Sequence, residues 1–365
     1  MELTSGFAGF PRDGIGAEKQ MARRNPRVMT IVAAVALHLT AMTAHAQLPA
    51  NYTAGSLVQL NDNGAWSWFM DERVIVDQGK LIVGSVRSLG DFEATRSQPD
   101  WGNVEISAYN IETGRTGRVV LDRHFEQDDH DAPAFLVLPD GRYLAVYTKH
   151  AVERKIYYRF SAPGDPLAWS DAQVFKTPGK DKAFAGDNVT YSHLFLDLDF
   201  TKWGGIGIWN FFRGFSHDPN YMYSDDGGKT WTYGGRLLRG RDGYSPYLKY
   251  ADDNERTIHF IATEDHPRNY DNSIYHGYLS GGKIHHSDGR VIAELSTSTE
   301  TSLAVWDLTK VFQGDPDNVA WTVDIELDSR KMPYIAFSVQ KDGRGLPPRQ
   351  GGMDLRYYYG RWDGH

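Results

Sequence analysis

Histidine is the side chain that changes charge near neutral pH, and this sequence spaces its histidines in a suggestive way. His130 lies in Gln127-Asp128-Asp129-His130-Asp131, just before a hydrophobic run; His150 closes the run that follows. Two strands joined by a tight turn are antiparallel, so the start of the first lies beside the end of the second. His130 and His150 are therefore expected to meet at one end of one hairpin. The next hairpin repeats the arrangement, with Tyr191 and His193 before it and Arg213 after it. The one after that brings Tyr244, Tyr247 and Lys249 to its start and His266 to its end. One face thus collects imidazole, phenol, guanidinium and ammonium groups from three successive hairpins. On a chain of net charge −8, a cationic and aromatic pocket suits an anionic, ring-bearing ligand. The plainer reading is a set of polar loops without chemistry.

Two reactions compete for such residues. Glycoside hydrolysis normally wants a pair of carboxylates flanking the bond. Asp128, Asp129 and Glu264 or Asp265 fall at the right positions, but they make no convincing pair. β-Elimination from a uronic acid needs a cation to neutralise the carboxylate, a base for the adjacent C–H and an acid for the leaving oxygen. Arg213, His130 or His150, and Tyr191 supply those roles, and a neighbouring Arg or imidazolium would lower the tyrosine pKa. Trp66 and Trp68 could form a stacking platform, although the area a tryptophan buries favours a core position.

The elements that must hold these groups recur along the chain. Hydrophobic runs rich in Val, Ile, Tyr and Phe, broken by Asp, Asn or Gly turns, begin at Val74, Phe135, Leu194, Leu248 and Asp324. Such runs read as β-hairpins. Each is followed by a second hairpin, beginning at Val104, Tyr157, Tyr221, Ile274 and Leu355. Two hairpins make a four-stranded sheet, and radial repetition of such sheets is a β-propeller; the competing fold is a β-sandwich with irregular hairpins. Ser224-Asp225-Asp226-Gly227-Gly228-Lys229-Thr230-Trp231 fits the Asp-box pattern S-x-D-x-G-x-T-W, a fold-stabilising turn rather than a catalytic site. Five units are visible. The fifth ends after one strand of its second hairpin, so the propeller is expected to be incomplete at its C-terminus unless residues 47–70 supply the missing strands.

Composition narrows the classes. With no cysteine, disulfide scaffolds, thiol catalysis and Cys-type zinc sites drop out. Net negative charge without a long basic run speaks against nucleic acid. Arg23, Arg24 and Arg27 precede a short apolar run over residues 28–37, and Ala44-His45-Ala46 fits a small-residue cleavage site. That order is a secretory signal peptide over residues 1–46. Its apolar run is shorter than the ~18 residues of a membrane span. Met21 or Met29 is a more natural start than Met1. The remaining domain, 47–365, is then secreted or periplasmic in a bacterial setting.

The stretches GAWSWFMDERVIV, DDHDAPAFLVLPDGRYLAVYTKH, SDDGGKTW and NSIYHGYLSGGKIHHSDG resemble the BNR-repeat propeller family that contains polysaccharide lyases of the ulvan lyase and rhamnosyl-glucuronate type. The resemblance implies a seven-bladed propeller with substrate across one face. It implies an active centre of two His, a Tyr and an Arg, matched here by His130, His150, Tyr191 and Arg213. His193, Tyr244, Tyr247 and Lys249 would bind substrate. It implies no cofactor for the chemistry, but a structural divalent metal (Ca or Zn) for which His266 and His276 are the candidates. The expected partner is an anionic polysaccharide or oligosaccharide. The expected activity is β-elimination on a uronate glycan, the alternatives being a hydrolase releasing rhamnose and a non-catalytic glycan-binding propeller.

Overall fold

The computed structural model describes residues 2–3, 57–179, 187–200, 205–241, 243–347 and 350–364. The leader read over residues 1–46 lies outside them apart from Glu2–Leu3 (β1). Among the described residues, no helix is long and apolar enough to cross a membrane.

Five antiparallel sheets follow one another as the blades of a β-propeller. The first comprises β2 (Gly64–Ala65), β3 (Val74–Asp77), β4 (Lys80–Arg87), β5 (Val104–Asn110) and β6 (Thr116–Asp122). The second runs through β7 (Ala134–Val137), β8 (Tyr143–Tyr147), β9 (Lys155–Ala162), β10 (Asp165–Trp169) and β11 (Gln173–Lys176). The third is β12 (Thr190–Phe200), β13 (Gly205–Arg213), β14 (Pro219–Ser224) and β15 (Thr232–Arg236). In the fourth, β16 (Tyr247–Asp252), β17 (Thr257–Thr263) and β18 (Ile274–Ser280) are followed by a hairpin, β19 (Lys283–His285) and β20 (Val291–Glu294). A later strand, β21 (Thr309–Phe312), returns to pair with β18. This excursion accounts for the wide gap between the hairpins at Leu248 and Asp324. The fifth blade is β22 (Val319–Leu327), β23 (Pro333–Gln340) and β24 (Leu355–Arg361), with β1 on the outer side of β24. Of the stretch 47–70 only residues 57–70 are described, and there Gly64–Ala65 pairs with β4 in the first blade rather than with the fifth.

The core clusters join residues of neighbouring blades, so the core lies between blades rather than within one. Phe135, Tyr143 and Tyr147 of the second blade pack on Ile82 and Ile106 of the first. Phe195, Trp209 and Phe211 of the third meet Tyr250 and Phe260 of the fourth. Burying large side chains of this kind is worth about 1.5–3 kcal/mol each, which fixes the spacing of neighbouring blades. The Asp-box behaves as its residues suggest. Asp226 accepts from Thr230 N at 2.9 Å and Thr230 Oγ1 at 2.6 Å, and Gly228 N donates to Ser224 Oγ at 2.8 Å. Gly227 and Gly228 have φ of 75° and 84°, where a Cβ is costly. Trp231 lies edge-on to Tyr158 of the second blade, centroids 6.0 Å apart, so the turn also ties two blades together.

Candidate active site

The loops entering the inner strands and the loops leaving the second strands share one end of the propeller. Asp128 caps a single 3-10 turn, Asp129–Asp131, by accepting from His130 N at 3.0 Å. A capping Asp is the standard way to satisfy the free amides of such a turn. Here the same carboxylate does more. Its Oδ1 lies 2.5 Å from His130 Nδ1 and its Oδ2 lies 2.9 Å from His150 Nδ1. The two imidazoles stack at 3.8 Å with a 10° interplanar angle. The hairpin geometry that predicted their meeting is therefore realised. A carboxylate on both Nδ1 atoms fixes them as N–H and leaves both Nε2 atoms for a ligand.

Burial by itself would lower the His130 pKa, but its hydrogen bonds to Asp128 and Asp129 outweigh that and raise it to about 9. Burial likewise opposes ionisation of Asp128, and His130 and His150 overcome it to hold the carboxyl well below the usual range. His130 is thus an imidazolium at neutral pH. Beside this pair Asp131 is 0% exposed. Burial, with Glu126 and Asp128 nearby, pushes its pKa well up.

Tyr191 sits 5.3 Å from the His130 ring. Its φ of 64° is a left-handed conformation uncommon for a bulky residue, and it falls where the β12–β13 register shifts. Burial raises the Tyr191 pKa, and the opposing effect of Arg213 is too small to reverse it. The expectation of a lowered tyrosine pKa is overturned: desolvation wins, and the phenol keeps its proton. The Arg213 guanidinium lies 5.2 Å from the Tyr191 ring centroid and 4.1 Å from that of Tyr247. Nη1 donates to Tyr247 Oη at 3.4 Å, whereas Nε and Nη2 have no hydrogen-bond partner among the described residues. A buried cation with open donors is an anion site in waiting. Phe69 underlies both tyrosines, and Trp321 of the fifth blade faces Tyr247 at 5.4 Å.

Other expected site residues are placed differently. His193 and Lys249 are 3% and 2% exposed and turned inward. Lys249 Nζ donates to Asp71 Oδ2 at 2.6 Å and Trp68 O at 2.8 Å, and His193 Nδ1 lies 3.3 Å from the same Asp71 oxygen. An ammonium committed to a carboxylate and a carbonyl is not free for a ligand, so Lys249 holds the floor of the site, whereas His193 lines the small pocket that Tyr191, Arg213 and Tyr247 also line. Tyr244 packs on Tyr270 at 5.3 Å. Trp66 and Trp68 are not core residues: they are 52% and 46% exposed. Arg73 covers Trp66 at 4.8 Å, and Trp68 leans on Trp321 at 6.0 Å.

The pair named for a structural metal has separate partners. His276 Nε2 lies 3.1 Å from His259 Nδ1, and His276 Nδ1 lies 2.7 Å from Ser287 Oγ. His266 instead stands edge-on to Trp321 at 3.9 Å. Burial and the cations of Arg268 and Arg213 hold its pKa down to about 4. These two histidines do not fit a shared ion. Among the described residues, the grouping of three possible metal-ligating side chains is Asp128, His130 and His150. Sequence reasoning missed the bridging role of Asp128, for which Asp-Asp-His ahead of a strand was the available signal. It also missed Asp71 and Trp321, which meet the site from sequence-distant segments.

This architecture has known counterparts. Residues 92–365 match the model of the BNR repeat-containing family, and the chain belongs to that family. No protein of curated function matches it in sequence. Among solved structures, a PL25 ulvan lyase bound to -[GlcA(1-4)Rha3S]- is similar with a TM-score of 0.58 at 17% identity, over 84% of this chain and 72% of that one. The polysaccharide lyase Uly1 is similar with a TM-score of 0.52 at 13% identity, over 85% of this chain and 75% of that one. At these identities the likeness is one of fold.

Proposed function

We propose that this protein is a polysaccharide lyase that cleaves a uronate-containing glycan, of the ulvan or rhamnose-glucuronate type, by β-elimination. The observation that carries the reading is the Asp128-clamped histidine pair facing Tyr191 and an Arg213 with unpaired donors. In this reading Arg213 and the His130 imidazolium neutralise the uronate carboxylate. That acidifies C5–H, and His150 Nε2 takes the proton. The C5–H electrons become the C4–C5 double bond, the C4–O bond breaks, and the leaving oxygen takes the Tyr191 proton. A tyrosine kept protonated by burial suits an acid. The ulvan lyase with bound uronate glycan on a similar fold adds support.

The carboxylates that the sequence offered for a hydrolase make no free pair. Asp128 carries both histidines and Asp129 lies 2.9 Å from His130 Nδ1. Glu264 accepts from Ser273 N and Tyr275 Oη, and Asp265 accepts from Ser245 N and Asn269 Nδ2. Ultraviolet absorbance of the unsaturated product decides the matter. A rise with ulvan that falls by about 10²–10⁴-fold in Tyr191→Phe is the expected result. Saturated products, or no turnover on any uronate glycan, would refute the lyase.

A further inference from the structure

The cleft beyond His266 runs past Arg268 and Tyr270 on the loop after β17. Tyr270 connects it to a group of side chains that the elimination does not use. Arg241 lies 5.8 Å from the Tyr270 ring and 5.8 Å from the Trp306 ring, and Arg239 covers Trp306 at 5.4 Å. Trp306 is 40% exposed, and it is held by its own 3-10 turn, Val305–Asp307. The backbone of Arg239 is fixed by donating to Leu303 O at 2.9 Å. Arg239 Nε donates to Ser302 O at 3.2 Å. Among the described residues, none of Arg239, Arg241 and Arg268 has a carboxylate partner, although the chain has eight more acidic than basic side chains. Many other arginines are paired, for example Arg87 with Asp62 and Arg236 with Asp218.

We propose that Arg239, Arg241 and Trp306 form a second saccharide-binding site, a surface track that holds an anionic polysaccharide chain leaving the active-site cleft over Tyr270. An exposed indole offers an apolar face to a pyranose ring, as aromatic side chains do where one side must stay wet. The two guanidiniums, 5.4 and 5.8 Å from its ring centroid, offer forked donors matched to a carboxylate or a sulfate. The ligand is an anionic sugar polymer in either case. The inference rests on the reading that the substrate is an anionic glycan, but its test does not require turnover.

The test is affinity electrophoresis of the full chain carrying Tyr191→Phe, through gels containing ulvan, desulfated ulvan or neutral dextran. The expected result is retardation by ulvan and none by dextran. Adding Arg239→Ala with Arg241→Ala should weaken apparent binding about tenfold, the loss of charge-assisted hydrogen bonds. Trp306→Ala should weaken it comparably. Arg241→Ala alone, at an exposed side chain, keeps the test available if the double variant does not fold. Retardation kept by desulfated ulvan assigns the anion to carboxylate, and retardation lost assigns it to sulfate; both support the track. Equal retardation of the double variant and its parent, or equal retardation by dextran, overturns it. Absence of product absorbance in the unsubstituted protein, with the arginine effect intact, would reject the lyase and leave the track standing.

Discussion

At the scale of single residues, charge placement on the histidine pair has a consequence for pH. His130 carries a proton up to about pH 9 because Asp128 and Asp129 outweigh its burial. If that imidazolium helps neutralise the substrate carboxylate, kcat/KM falls as pH rises through about 9, and His130→Gln loses that limb of the profile. A pH–rate series on both proteins checks this; an unchanged alkaline limb in the variant would remove His130 from the role. A histidine whose folded pKa is raised stabilises fully below its ordinary 6.5 and loses that stabilisation as pH climbs through the raised value. The meeting of His130 and His150 was legible because antiparallel pairing follows from strand length and turn position. The clamp between them was not, since Asp128 reads as one of several loop carboxylates until the rings are seen on its two oxygens.

At the scale of elements, the recurrent hairpins were legible wherever Val, Ile, Tyr and Phe alternate around an Asp or Gly turn, as at Phe135 and Leu248. The short pairings were not. β2 is two residues long and β21 returns after a separate hairpin, so neither leaves a periodic pattern to read. The Asp-box is an element whose sequence specifies its own geometry, and it makes a clean prediction. Asp226→Ala removes the bonds to Thr230 and should cost about 1–3 kcal/mol of stability. Urea unfolding should show that loss, while turnover of folded protein stays the same because the turn lies on the β14–β15 hairpin, away from the histidine pair. A loss of turnover without a loss of stability would contradict the purely structural role.

At the scale of the whole molecule, the site floor is a junction. Asp71 takes Lys249 from the fourth blade and lies against His193 from the third. Ser67 N donates to Asp129 O, and Phe135 N donates to Glu72 O, both from the second blade's side. Trp68 meets Trp321 of the fifth. Burial opposes ionisation of Asp71, and His193 and Lys249 reverse the balance so that its pKa is lowered. Stability from this group is therefore present above its ordinary 3.8 and is lost as pH falls through the lowered value. Asp71→Asn strands the buried Lys249 ammonium and should cost about 3–5 kcal/mol, read as a drop in Tm at neutral pH that shrinks in acid. An unaltered Tm would mean that the junction is not holding the blades. The same seven-residue stretch, 66–72, also sets an order of events in time. Its partner Lys249 lies 178 residues downstream of Asp71. Contacts so distant along the chain close late and slow folding. As the chain is synthesised, the first blade must wait with its Asp71 carboxylate in water until the fourth has been made. The floor beneath Tyr191 and Arg213 is thus closed only once the fourth blade has been made.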